Sequence, residues 1–132
     1  MRRKVAVLFP GQGTQYVGML NIAGPQQSQL VAIAQKVLGY DLAGLIQRGP
    51  TSVLNHTAVT QPAILLTSLC HFSDFSSRHP QIINGEWDVV MAGHSVGEYA
   101  ALTASGIMTP EQAFRLIVLC TLPIDYCLSL VL

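Results

Sequence analysis

Charge is scarce in this sequence. Of its 132 residues, 11% are charged, and seven basic and seven acidic side chains give a formal net charge of +0. Soluble domains carry roughly 25% charged residues, and disordered chains combine high charge with few apolar residues, whereas 50% of this chain is apolar. The composition therefore excludes intrinsic disorder and a polybasic surface that would bind nucleic acid. It fits one globular domain.

Cysteines and long apolar runs are also few. The three cysteines, Cys70, Cys120 and Cys127, form no CxxC pair and match no histidine spacing, which argues against a disulfide framework and a zinc site. We expect no metal site and interpret the cysteines as buried thiols. The most apolar stretch, residues 114–132, is interrupted by two charged residues and a proline, so we interpret it as buried and not as a membrane span.

Two short apolar runs predict strands. Residues 4–9 (KVAVLF) are followed by Pro10-Gly11, which is typical of a strand buried on both faces in a parallel sheet. Residues 87–92 (WDVVMA) follow an Asn84-Gly85 turn and predict the second strand. Because helical patterns alternate with these runs, we predict an α/β fold in which helices flank a parallel sheet.

The helices are predicted from apolar residues spaced three and four apart and from capping residues. Gly39 closes the first of them, whereas Thr60 as N-cap and Pro62 in the first turn open the third. The last begins at a capping box, Thr109 to Gln112. The predicted helices are residues 26–38, 42–47, 60–76, 96–105 and one that starts at 109–112.

A G-x-S-x-G motif, residues 93–97 (GHSVG), lies between the second strand and a helix, which is the context of a nucleophile elbow. A turn this sharp strains the backbone of Ser95, and side chains at the flanking glycines would collide across it. The hydroxyl of Ser95 then projects above the sheet, where the N-terminus of the helix that begins at Val96 suits an oxyanion. The alternative is a Gly/Ser turn without chemistry.

A glycine-rich loop, residues 9–15 (FPGQGTQ), leaves the first strand at its carboxyl end, where ligand sites gather in parallel sheets. This loop could supply a second oxyanion donor. A dinucleotide site is the weaker alternative, because the glycines give GxGxxxxG and not GxGxxG, and no acidic residue is convincingly placed about 20 residues further on.

Four segments, in the order of the family, resemble the malonyl-CoA:acyl carrier protein transacylases, the acyltransferases of fatty-acid and polyketide synthesis. The segments are FPGQGTQYVGM (9–19), VLGYDL (37–42), TQPAIL (60–65) and GHSVGEYAAL (93–102). We therefore expect residues 1–119 to be the N-terminal portion of an acyltransferase domain and residues 120–132 to be a divergent apolar tail. The resemblance implies an incomplete large subdomain with an α/β-hydrolase-like core, without the ferredoxin-like small subdomain.

The resemblance implies a malonyl transfer through a serine ester. Ser95 would take the malonyl group from malonyl-CoA and release it to acyl carrier protein, with no permanently bound cofactor. The backbone N–H groups of Gln12 and Val96 match the oxyanion hole. The substrate-binding residues implied are Gly11, Gln61 and His94, of which we interpret His94 as a packing residue and not as the base. A full-length protein is expected to be monomeric.

Two family features have no match here. The family's general base is a histidine roughly a hundred residues beyond the nucleophile, and the chain ends at Leu132, well before such a position. Its malonate-binding arginine is replaced by Cys120. We interpret the other histidines as surface or loop residues and expect a truncated form. Those histidines are His56, His71 and His79.

Two rival functions stay open. An α/β serine hydrolase or thioesterase would share the elbow, and a non-catalytic protein that binds carrier protein would explain the missing histidine and arginine.

The basic start, residues 1–4, is followed by five apolar residues, too few for a signal peptide. We expect a mitochondrial location, with the cytoplasm as the alternative.

Overall fold

The computed structural model describes residues 1–121, which form two strands, six α-helices and a short 3-10 turn at Pro80–Ile82. The predicted α/β fold with a parallel sheet and flanking helices is confirmed. The elements are β1 (Lys4–Phe9), α1 (Pro25–Leu38), α2 (Leu42–Arg48), α3 (Thr51–Leu54), α4 (Thr57–Arg78), β2 (Asp88–Gly93), α5 (Val96–Ala104) and α6 (Pro110–Thr121).

The two strands pair in parallel and in register, with Lys4 opposite Asp88 and Phe9 opposite Gly93. Because parallel strands end at the same edge of the sheet, the segments that follow Phe9 and Gly93 leave the sheet side by side. This edge is where the two glycine-containing motifs of the sequence meet.

The core lies between one face of the sheet and the helices. Val7 and Met91 point from the strands toward it, and α4 is buried over most of its middle turns. The ring of Phe9 packs against Phe72 of α4 at 5.9 Å between centroids. Within residues 1–121, no helix has the length and apolar character needed to cross a bilayer.

The prediction that the first strand is buried on both faces is wrong. Residues 4, 6 and 8 are exposed along β1, and Leu8 retains 75% of its accessible surface. Val90 of β2 retains 67%. The described helices cover only the face that carries Val7 and Met91, which leaves an apolar strip on the other face. The apolar run in the sequence could not show that one face lacks a cover.

The predicted start of the α4 helix is also wrong. The helix begins at Thr57, one turn before the predicted N-cap Thr60, and it continues to Arg78. Thr60 is fully buried, and its hydroxyl donates to the carbonyl oxygens of Leu54 at 2.6 Å and His56 at 3.0 Å. Pro62 therefore lies inside the helix and not in its first turn. The bonds of Thr60 explain why a residue typical of an N-cap occurs one turn later.

Other local signals agree with the structure to within a residue or two. The capping box is confirmed, since Thr109 N–H donates to Gln112 Oε1 at 2.9 Å and Gln112 N–H to Thr109 Oγ1 at 3.2 Å. Gly39 ends α1 with a φ of 78°. The sequence patterns did not predict α3 or the 3-10 turn. Residues 122–132 of the predicted divergent tail lie outside the described residues.

The uncovered face can be tested by truncating two leucines. Leu8→Ala removes little buried surface, so we expect the free energy of unfolding to change by no more than about 0.5 kcal/mol. Leu66→Ala, at a fully buried position, is the matched control and should cost about 2–5 kcal/mol. Urea denaturation of the 132-residue chain measures both. A loss at Leu8 as large as at Leu66 would show that this face is covered in solution.

Candidate active site

Ser95 stands at the junction of β2 and α5 in a strained conformation. Its φ of 55° and ψ of −119° make it the one residue other than glycine with positive φ among residues 1–121. Such a conformation costs of order 1–3 kcal/mol and persists only where the surroundings enforce it. Ser95 is exposed and serves as the N-cap position of α5. The predicted strand, serine and helix therefore meet as a nucleophile elbow requires.

Close backbone packing enforces this turn. A Cβ added to Gly93 would overlap the carbonyl group of Gly97, and a Cβ added to Gly97 would overlap the carbonyl oxygen of Phe9. Any side chain at either glycine would therefore separate β2 from α5 or α5 from β1. The collision predicted from the motif is thus present in the structure.

The loop that follows β1 lies directly against the elbow. The N–H of His94 donates to the carbonyl oxygen of Phe9 at 3.1 Å. A Cβ on Gly11 would lie 2.7 Å from both Nδ1 and the carbonyl oxygen of His94. His94 is exposed, and its ring lies close to Gly11. Gln12, the next residue, is thereby placed beside the serine's turn.

Two backbone N–H groups at this junction have no acceptor within residues 1–121. At the start of α5, the N–H of Gly97 donates to the carbonyl oxygen of His94 and that of Glu98 to the carbonyl oxygen of Ser95, both at 2.9 Å. The N–H of Val96 donates to no described atom. In the loop, the N–H of Gln12 also donates to no described atom. Free N–H groups at a helix start are suited to bind an oxyanion.

Gln61 lies on the side of α4 that faces the loop. The side-chain Nε2 of Gln12 donates to Thr57 Oγ1 at 3.4 Å, and Gln61 follows Thr57 by one helical turn. Gln61 is half-buried. The substrate-binding roles of Gly11, Gln61 and His94 and the oxyanion roles of Gln12 and Val96 remain predictions.

Within residues 1–121, no hydrogen bond joins the Ser95 hydroxyl to an imidazole or a carboxylate. His56 and His71 are exposed, as predicted. His79 lies in the loop between α4 and the 3-10 turn, which also agrees with the prediction, and its ring is half-buried against Phe75, with centroids 4.8 Å apart. In the same described range, no cluster of three or more His, Cys, Asp or Glu residues could hold a metal ion.

A tyrosine that the sequence analysis did not single out lies one turn beyond Ser95. Tyr99 OH is 3.4 Å from Cys120 Sγ of α6, and this hydrogen bond raises the pKa of Tyr99. Its position four residues after Ser95 on a predicted helix was the available signal. Cys120 is exposed, so the prediction of buried thiols is wrong there; Cys70 is buried, which raises its pKa to about 12. Cys127 lies outside the described residues.

A cavity of about 350 Å³ adjoins the loop on the side of α4. Pro10, Thr14 and Tyr16 line it from the loop, and Thr67 and His71 line it from α4. The Thr67 hydroxyl is buried without a partner among the described residues. The cavity therefore borders the loop that carries Gln12 on the side of the loop that faces α4.

The described residues thus form the strand, serine and helix of a nucleophile elbow in a parallel α/β sheet. A protein-family model described as "Acyl transferase domain" matches residues 7–121. The chain belongs to this acyl transferase family.

Relatives share the sequence over most of this chain. The malonyl CoA-acyl carrier protein transacylase of Haemophilus influenzae is 40% identical over 118 residues, which is 87% of this chain and 36% of the relative. The human mitochondrial malonyl-CoA-acyl carrier protein transacylase is 45% identical over 106 residues, 77% of this chain and 26% of the relative. The chain thus spans about a third of the length of the curated relatives it matches.

Solved structures share the fold. The acyl carrier protein S-malonyltransferase of Vibrio cholerae is 42% identical with a TM-score of 0.74, and the match covers 88% of this chain and 37% of that one. A malonyl-transacylase solved in complex with a type II PKS acyl-carrier protein is 42% identical with a TM-score of 0.77 and covers 90% and 38%. The described residues therefore match the architecture of one part of these proteins.

The close packing at the elbow can be tested with one added methyl group. Because the Cβ of Gly97→Ala overlaps the backbone of β1, we expect a loss of about 3 kcal/mol or more in the free energy of unfolding. Gly24→Ala is the control, since its Cβ meets no backbone atom and only the end of the Gln27 side chain, at 3.1 Å. Denaturant unfolding compares the two. Equal stabilities would contradict the packing described here.

Proposed function

We propose that this chain carries the nucleophile and the oxyanion donors for malonyl transfer from malonyl-CoA to acyl carrier protein in fatty-acid biosynthesis. The observation that carries the proposal is the exposed, strained Ser95 beside the free N–H groups of Gln12 and Val96. The strained backbone of such a serine costs free energy of folding. Strain of this kind is typically found at functional sites.

The transfer proceeds in two balanced steps. Ser95 Oγ attacks the thioester carbonyl of malonyl-CoA, and the C–S bond breaks as the serine ester forms. The proton of the serine ends on the sulfur of CoA. A thiol on acyl carrier protein then attacks the ester, and Ser95 recovers a proton as the new thioester leaves. The N–H groups of Gln12 and Val96 stabilise the oxyanion in both steps.

The names of the relatives support the substrates. Those named as malonyl-CoA transacylases match 87% and 77% of this chain, and one solved relative carries an acyl carrier protein. A serine needs a general base, and the described residues place no such group in contact with Ser95. The family resemblance implies a histidine at a position beyond Leu132.

For the location we propose mitochondria, with the cytoplasm as the alternative. Mitochondrial relatives from human, mouse and fly support the first, and bacterial relatives of similar identity support the second. We propose a monomer for the full-length protein.

Ser95→Ala tests the proposal. After incubation with malonyl-CoA, intact-mass measurement should show one malonyl group on the wild-type chain. Peptide mapping should place this group on Ser95. We expect Ser95→Ala to lower the acylation rate by at least about a thousandfold, because the attacking oxygen is gone. Ser52→Ala, at an exposed serine of α3, is the matched control and should be acylated normally.

Three other outcomes would contradict the proposal. Turnover of a nitrophenyl ester without an adduct would indicate a serine hydrolase or thioesterase. Binding of acyl carrier protein without any adduct would indicate a non-catalytic carrier-binding protein. A malonyl group that persists in Ser95→Ala would place the nucleophile elsewhere.

A further inference from the structure

The loop of Gly11 to Gln15 is held in shape by side chains. Residues 12 and 13 form a tight turn, and side chains supply the other hydrogen bonds of residues 11–15 within residues 1–121. The Gly13 N–H donates to Gln15 Oε1 at 2.9 Å, and Thr14 Oγ1 donates to the Gly11 carbonyl at 2.9 Å. Gln12, Gly13 and Thr14 are all exposed, so packing contributes little. The conformation of the loop therefore depends on these polar contacts.

Gln15 also connects the loop to the helical layer. Its Nε2 donates to Asn55 Oδ1 at 2.9 Å, across 40 residues of sequence. Asn55 is itself fixed, because it is the C-cap of α3 and its N–H donates to the Thr51 carbonyl at 2.9 Å. One amide thus accepts from the loop backbone and donates to the residue that ends α3.

The other connection between loop and helices is weaker. Gln12 Nε2 reaches Thr57 Oγ1 at 3.4 Å, which is long for a hydrogen bond between neutral groups. Gln12 N–H lies between the Gly11 contact with His94 and the Gly13 bond to Gln15. Its direction is therefore set on one side by the elbow and on the other by Gln15.

We propose that Gln15, held by Asn55, is a positioning residue that keeps the Gln12 N–H directed at the oxygen of a group bound to Ser95. This inference rests on the proposed function. Removal of the Gln15 amide frees the Gly13 N–H and releases the loop from α3, so that the long contact between Gln12 and Thr57 is left as its hydrogen bond to the helices among the described residues. The oxyanion then loses a donor that was held in place before the reaction, which affects the rate of acylation more than the affinity for the acyl donor.

The test compares Gln15→Ala and Asn55→Ala with the wild-type chain. Amide hydrogen exchange reports whether the Gly13 N–H stays protected, and it requires no catalysis. Acylation of Ser95 is followed by mass spectrometry with malonyl-CoA and, separately, with a nitrophenyl ester. We expect Gly13 protection to fall at least about tenfold and the acylation rate to fall roughly ten- to hundredfold, with half-saturation by malonyl-CoA changed less than about twofold.

Two further variants separate positioning from a general loss of structure. Asn55→Asp keeps an acceptor oxygen for Gln15 Nε2, so it should retain most of the rate that Asn55→Ala loses. Gln35→Ala, at an exposed position of α1, should leave both readouts unchanged. The double variant of Gln15→Ala and Asn55→Ala should be no slower than Gln15→Ala alone, because the two side chains act as one unit.

Each outcome decides a separate claim. Unchanged Gly13 protection in Gln15→Ala overturns the positioning role, and so does an acylation rate within twofold of wild type. A fall in the rate together with an equal-fold rise in the half-saturating concentration of malonyl-CoA, with a lowered melting temperature, also overturns it in favour of a structural role. If the wild-type chain accepts an acyl group from neither donor, the proposed function is wrong, and the exchange measurement alone decides the role of Gln15 in the loop.

Discussion

The contact of three backbone segments, at Phe9, Gly93 and Gly97, is the constraint on which the rest of the structure depends. It brings the first turn of α5 against both strands, and this leaves Ser95 no room for an ordinary conformation. The same contact places the start of α5 beside the loop that leaves β1, because the strands are parallel and in register. The exposed hydroxyl and the two free N–H groups follow from this one packing arrangement.

The sequence correctly predicted those features that depend on contacts between residues close together in the chain. The motif at residues 93–97 predicts the elbow because only glycine tolerates the backbone contacts on either side of the serine. The capping box at Thr109 is also correct, since both of its bonds lie within four residues. Features that depend on distant contacts were missed or wrong. Thr60 resembles an N-cap but binds carbonyls of the preceding turn, and Leu8 resembles a core residue but faces no described partner.

The candidate site likewise combines features that depend on nearby residues with features that depend on distant contacts. The positions of Ser95 and of the loop could be predicted from motifs and from the rule that parallel strands share an edge. The bond of Gln15 to Asn55 spans 40 residues, and no spacing rule connects them. The chain matches about a third of the length of its curated relatives, so the family is established for these residues and the full transfer reaction is a proposal. The residues of the elbow and of the loop lie within this chain, so experiments on the chain can test their roles.

A crystal structure of the chain with an acyl group trapped on Ser95 tests the central claim most directly. We predict continuous density from the Ser95 oxygen, a positive φ at this residue, and a carbonyl oxygen at about 2.7–3.1 Å from the N–H nitrogens of both Gln12 and Val96. An acyl oxygen directed into solvent, or a Ser95 that relaxes to negative φ, would contradict the account.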